Sequence, residues 1–160
     1  MGEKTKVTLE RIIEINDAVL TAADCSLLDS KIAWRAGMLA DSCKSPIKVY
    51  NKIVAANKKK FIADQKVKQK ELIGKSDEEK KVVVEALQGL IDKYNEQDEA
   101  LLADLVEIEI PEFKLADFTA KEELRSVHRV KDKDVEVVVK AGQTLVPVRF
   151  FALMGSLIKE

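Results

Sequence analysis

The chain has 160 residues, 46% hydrophobic and 34% charged, with a formal net charge of −1 at pH 7. That length suits one domain with a real core, and the composition fits a soluble, helix-rich globular protein. No apolar run approaches the roughly 20 residues of a membrane span, and MGEKTKVTLERII lacks the apolar core of a signal peptide, so a non-secreted protein is expected.

Gly2 follows Met1, but Lys6 stands where myristoylation needs Ser or Thr. Thr8 is the expected N-cap of a first helix, with Glu10 in its first turn. Leu9, Ile12, Ile13, Val19 and Leu20 give that helix an apolar face, and Asp24 to Ser26 end it. A second helix is expected from near Leu27 through Ile32, Ala33 and Leu39. Ser45-Pro46 requires a kink or a restart with Ser45 as N-cap. One long kinked helix over 28–73 is preferred, because apolar spacing continues on both sides. Ile47, Tyr50, Val54 and Phe61 form its stripe, and Lys58, Lys59 and Lys60 face solvent or acids.

Gly74 is expected to end this helix. Ser76-Asp77-Glu78-Glu79 reads as a capping box. Val83, Leu87, Leu90, Tyr94 and Leu101 follow as a coiled-coil-like seam. A connection of two or three residues favours antiparallel neighbours.

Past Leu105 the pattern changes. Val106 to Ile110 alternates as a half-buried strand that Pro111 ends or places at an edge. Thr119 to Glu122 is expected to cap a short helix through Leu124, and Val135 to Val139 to form a strand. Ala141-Gly142-Gln143 is a turn, Leu145-Val146 a brief strand start, and Pro147 opens a last helix over 148–157. The expected fold is mostly α, of the α+β class. A long antiparallel helical hairpin or small bundle at 1–104 joins a small β/α tail at 105–160 in a single domain.

The net charge conceals an internal polarity. Residues 44–70 hold nine lysines and one acid, whereas residues 77–112 hold twelve acids and three lysines. The leading expectation is that these charges match each other across the hairpin. Phosphate binding is weighed for Lys52, Lys58, Lys59 and Lys60. The run has no arginine, the usual base reader, and its aromatics Tyr50 and Phe61 lie on the apolar stripe.

No stretch carries a catalytic or ligand-binding signature. His128 has no predicted nucleophile or orienter and reads as a surface or capping histidine. Cys25 and Cys43 read as small buried hydrophobes or inert thiols. The acids between Asp92 and Glu99 lack the glycine-centred pattern of a calcium loop, and no glycine loop suits a phosphate. No metal or cofactor is expected. Trp34 is expected in the core, with an interface anchor beside Arg35 as the alternative. Phe150, Phe151, Leu153 and Met154 exceed one narrow helix face, so part of that cluster is expected to dock on the hairpin or on a second subunit.

TLERIIEINDAVL at 8–20, the hairpin at about 28–104, VEIEIPEFKLADF at 106–118 and VPVRFFALMGSLIKE at 146–160 carry a resemblance. The chain resembles small uncharacterised helical-hairpin proteins of tailed bacteriophages and prophages, with residues 119–145 as an addition. The resemblance implies a viral origin and supplies no catalytic residue. The expected role is therefore non-enzymatic, through contact with a phage or host protein or a second copy, in the host cytoplasm or the virion. The alternative is a host-directed inhibitor that binds a host or defence protein, or nucleic acid, through the lysine-rich helix.

Overall fold

Thr8 closes a strand and caps a helix. In the computed structural model, which describes residues 2–23, 25–131 and 133–159, strand β1 (Glu3–Thr8) runs directly into helix α1 (Leu9–Ala23). The Thr8 hydroxyl accepts from the backbone N–H of Arg11 at 3.3 Å, and Glu10 sits in the first turn. Hydropathy alone does not anticipate β1, since Val7 is its single aliphatic residue. Its signal is the period-2 alternation of Lys4 and Lys6 with Thr5 and Val7. Helix α1 buries Ile12, Ile15, Val19 and Ala22 completely, at steps of three, four and three. Leu20 falls off that face and is exposed. Asp24 lies outside the described residues.

Helix α2 (Ser30–Lys70) spans 41 residues without interruption, about 60 Å at 1.5 Å per residue. It starts three residues later than expected, because the Asp29 carboxylate caps it by accepting from the Lys31 N–H at 2.9 Å. Pro46 is accommodated inside this one helix, and Ser45 starts no new one. Pro46 removes one N–H donor from the helix, and its neighbours Cys43 and Ile47 both pack on the core. Ile32, Ala36, Leu39, Ala40 and Cys43 are buried before the proline, and no residue of α2 is fully buried after it.

The connection to helix α3 (Asp77–Ala103) occupies residues 71–76, longer than the two or three residues expected. Helix α2 stops at Lys70, and Gly74 serves the turn with a φ of 76°, where a side chain is strained. The capping box forms as the sequence indicates. Ser76 Oγ accepts from the Glu79 N–H at 3.4 Å, and Glu79 Oε2 accepts from the Ser76 N–H at 2.9 Å. Val83 is buried and Leu87, Leu90, Tyr94 and Leu101 are half-buried against α2. Phe61 and Tyr94 meet across the seam with centroids 5.1 Å apart.

Strand β2 (Leu105–Ile110) pairs antiparallel with β1, placing Thr5 opposite Ile108 and Val7 opposite Val106. Ile108 and Ile110 point into the core while Glu107 and Glu109 stay exposed, the alternation expected of this segment. Phe113–Lys114 (β3) then pairs in parallel with Ile158–Lys159 (β6).

The expected helix over 119–124 is absent. A 3-10 turn forms earlier, at Leu115–Phe118, and Leu124–Val130 (β4) pairs antiparallel with Lys133–Val139 (β5) instead. The β-branched valines of this ribbon favour extended backbone. Leu145-Val146 forms no strand: pairing here stops at an isolated antiparallel bridge between Thr119 and Thr144, flanked by the bond from the Leu145 N–H to the Phe118 carbonyl at 2.8 Å. Pro147 caps α4 (Val148–Met154), and a 3-10 turn (Gly155–Leu157) completes the segment expected to be one helix. The fold is thus mostly helical α+β: three long helices, small two-stranded sheets and a short C-terminal helix. One core joins α1, the first part of α2, β2, β3 and α4, and the far end of the hairpin lies beyond it.

Candidate functional site

Helix α2 turns its buried residues toward α1 and the tail. Trp34, two residues beyond buried Ile32, is about 200° around the helix and comes out 66% exposed. The expectation of core burial for Trp34 is corrected on that geometry. Met38 stands one turn further along the same face and is 48% exposed. With Arg35, Pro111, Glu112 and Asp117 these residues line a groove of about 660 Å³ between α2 and the end of β2.

The groove combines an apolar wall with a charged rim. Arg35 Nη1 donates to the Glu112 carbonyl at 3.4 Å, and Lys159 Nζ lies 3.5 Å from Glu112 Oε1. The Asp117 carboxylate accepts from the Lys114 N–H at 2.8 Å, and Ser42 Oγ donates back to the Met38 carbonyl at 3.1 Å. Exposed indole, thioether and guanidinium groups within a polar rim match the composition of protein-contact centres. Met38 and Pro111 are missed by sequence reasoning. The one-turn step from Trp34 to Met38 is the signal that marks the first.

Phe150 and Phe151 do not join this surface. Phe150 is 2% exposed, with its ring 4.6 Å from Phe118 and 5.5 Å from Phe151. The expected docking role is corrected for Phe150: the chain's own core occupies it. Phe151 is half-buried at the edge of the same cluster.

The lysine arm presents the largest departure. Lys52, Lys58, Lys59 and Lys60 are exposed, and no ion pair joins α2 to α3 among the described residues. The α2 lysines that do pair find partners on their own segment: Lys44 with Asp41 at 2.6 Å, and Lys68 with Glu71 at 3.1 Å. Charge matching across the hairpin is therefore corrected. Tyr50, Val54 and Phe61 occupy the face toward α3, and at about 100° per residue Lys48, Lys52, Lys59 and Lys66 fall on the opposite side. Helix α3 repeats the arrangement in acids. Glu78, Glu85, Asp92 and Glu96 are exposed and lie away from the Val83, Leu87 and Tyr94 seam. The hairpin is a paddle with one basic and one acidic outer face.

Cys43 is fully buried, and burial pushes its thiol up to about 11. Cys25 is half-buried, with Sγ 3.1 Å from the Leu145 carbonyl. His128 sits in β4 opposite Val135, and its side chain lies outside the described residues. Among the described residues no three His, Cys, Asp or Glu side chains gather as a metal site, and no helix is long and apolar enough to cross a membrane. Compared with known proteins, the chain matches no family model, no curated protein and no solved structure.

Proposed function

We propose that this chain is a non-enzymatic protein of a tailed bacteriophage that acts through protein–protein contact, as an accessory or assembly factor or a virion component. The phage assignment rests on the resemblance carried by residues 8–20, 28–104, 106–118 and 146–160. The contact assignment rests on the exposed indole of Trp34 over the α2–β2 groove. Burying such a side chain against a partner removes apolar surface from water, at about 25 cal/mol per Å². The test is affinity purification of the tagged chain from infected cells, with mass spectrometry of what it holds. Wild type is expected to retain virion or assembly proteins, and Trp34→Ala to lose them at least tenfold. Equal capture by Trp34→Ala rejects the groove as the contact.

A second reading is favoured by the outward-facing lysines. In it the chain is a host-directed inhibitor or anti-defence protein that engages a host protein or nucleic acid through Lys52, Lys58, Lys59 and Lys60. Binding to DNA or RNA that survives about 200 mM salt supports this reading. Recovery of virion proteins alone rejects it.

A further inference from the structure

The two outer faces of the hairpin carry rows with the same intervals. Along α2, Lys48, Lys52, Lys59 and Lys66 are separated by four, seven and seven residues. Backwards along α3, Glu96, Asp92, Glu85 and Glu78 are separated by four, seven and seven residues. All eight side chains are exposed. Each row keeps to an arc of about 40° on its helix and runs about 27 Å. Because the rows face away from each other, one chain cannot bring them together, whereas two copies can.

We propose that the acidic face of α3 is the docking site for the basic face of α2 from a second copy of this chain, with the two helices antiparallel. In that register Lys66 meets Glu78, Lys59 meets Glu85, Lys52 meets Asp92 and Lys48 meets Glu96. The residues between the charges agree with it. Ala55 falls opposite Gly89, and Ala63 falls opposite Lys81, so the lysine nearest the acidic row meets no like charge.

Gly89 supplies an independent reason. A glycine inside a helix is destabilising by roughly 0.5–1 kcal/mol relative to alanine. Nothing lies within 4 Å of where a Cβ would stand at Gly89, so packing within this chain does not require it. Opposite Ala55 of a neighbouring copy, its missing side chain lets two backbones approach closely. A nucleic acid on the lysine row requires neither the acidic row at matching intervals nor Gly89. The contact is heterologous, so each copy offers one basic and one acidic face, and the assembly extends into a ring or a filament. This inference stands apart from the Trp34 groove.

The test is sedimentation velocity of the full chain at about 50 mM and about 500 mM salt, where screening differs strongly. Wild type is expected to self-associate at low salt and to weaken at least tenfold at high salt. Lys52→Glu/Lys59→Glu and Glu85→Lys/Asp92→Lys are each expected to sediment as monomers with unchanged helical circular dichroism. An equimolar mixture of the two, and a single chain carrying all four substitutions, are expected to associate again. Gly89→Leu is expected to melt higher and to stay monomeric, and it carries the test should a charge-reversed chain lose helix. A wild-type chain that is monomeric at low salt overturns the proposal, whether or not it binds DNA. So does association of either reversed chain at wild-type strength, or failure of the fourfold chain and the mixture to associate.

Discussion

Tyr50 donates its phenolic hydrogen to Asp98 across the hairpin at 2.9 Å, the one side-chain hydrogen bond between α2 and α3 among the described residues. The two arms of opposite charge are held by an apolar seam and this single polar link, not by ion pairs. Burial first, and then the Asp98 carboxylate, raise the Tyr50 pKa above its ordinary value of 10.0. The neutral phenol is therefore favoured by folding. Its contribution is fully present below the unfolded pKa and is lost as pH rises through the folded one. Tyr50→Phe is expected to lower stability in urea by about 1 kcal/mol at pH 7 and to flatten the loss of stability above pH 10. Tyrosinate absorbance during alkaline titration reports the wild-type shift.

The outward lysines make a contrasting prediction. Replacing Lys52, Lys59 and Lys66 with Glu breaks no ion pair among the described residues. At low protein concentration its urea stability is expected to change by less than about 0.5 kcal/mol. A substantially larger loss signals internal matching of the two arms.

Helix α3 depends on its N-cap, Ser76. Ser76→Ala removes the acceptor for the Glu79 N–H and is expected to lower stability by about 1 kcal/mol. Hydrogen bonds from the Ser76 backbone and hydroxyl hold Glu79 below its ordinary value of 4.5. A lowered carboxylate pKa adds stability above the unfolded value, lost as pH falls through the folded one. Thermal melts from pH 6 to pH 3 are expected to fall more steeply for wild type than for Glu79→Gln.

Phe118 joins the tail to the core. It is fully buried, with Phe113 at 5.6 Å, Phe150 at 4.6 Å and Phe151 at 6.2 Å between ring centroids. Phe118→Ala is expected to destabilise by about 3–5 kcal/mol, a large share of a typical domain's stability. Hydrogen exchange in α4 and the end of β2 is the readout, and wild-type protection there rejects Phe118 as the link.

The two thiols are expected to separate kinetically. Cys43 is sealed in the core, where its thiolate is disfavoured, while Cys25 is half-buried near the surface. A disulfide reagent at pH 8 is expected to label Cys25 first and Cys43 only on unfolding. Cys25→Ala then removes the early phase.

Local chemistry determined much of this molecule on its own. The Thr8 cap, the capping box at Ser76, the half-buried stripe of Ile47, Tyr50, Val54 and Phe61, and the alternation of Val106 to Ile110 each follow from interactions within a few residues. The charge reversal between 44–70 and 77–112 is equally local, as is the choice of a mostly helical α+β fold. What these charges face was decided only by tertiary structure. A helix with both an apolar stripe and a lysine row turns the stripe inward, because covering Phe61 is favourable whereas desolvating a lysine is strongly unfavourable. The rows therefore turn outward, away from each other. Long-range pairing likewise placed β1 on β2 across about a hundred residues, put Phe150 inside the core, and left Trp34 on the surface. In each case the neighbour that settles the position lies far along the chain, where no local pattern encodes it.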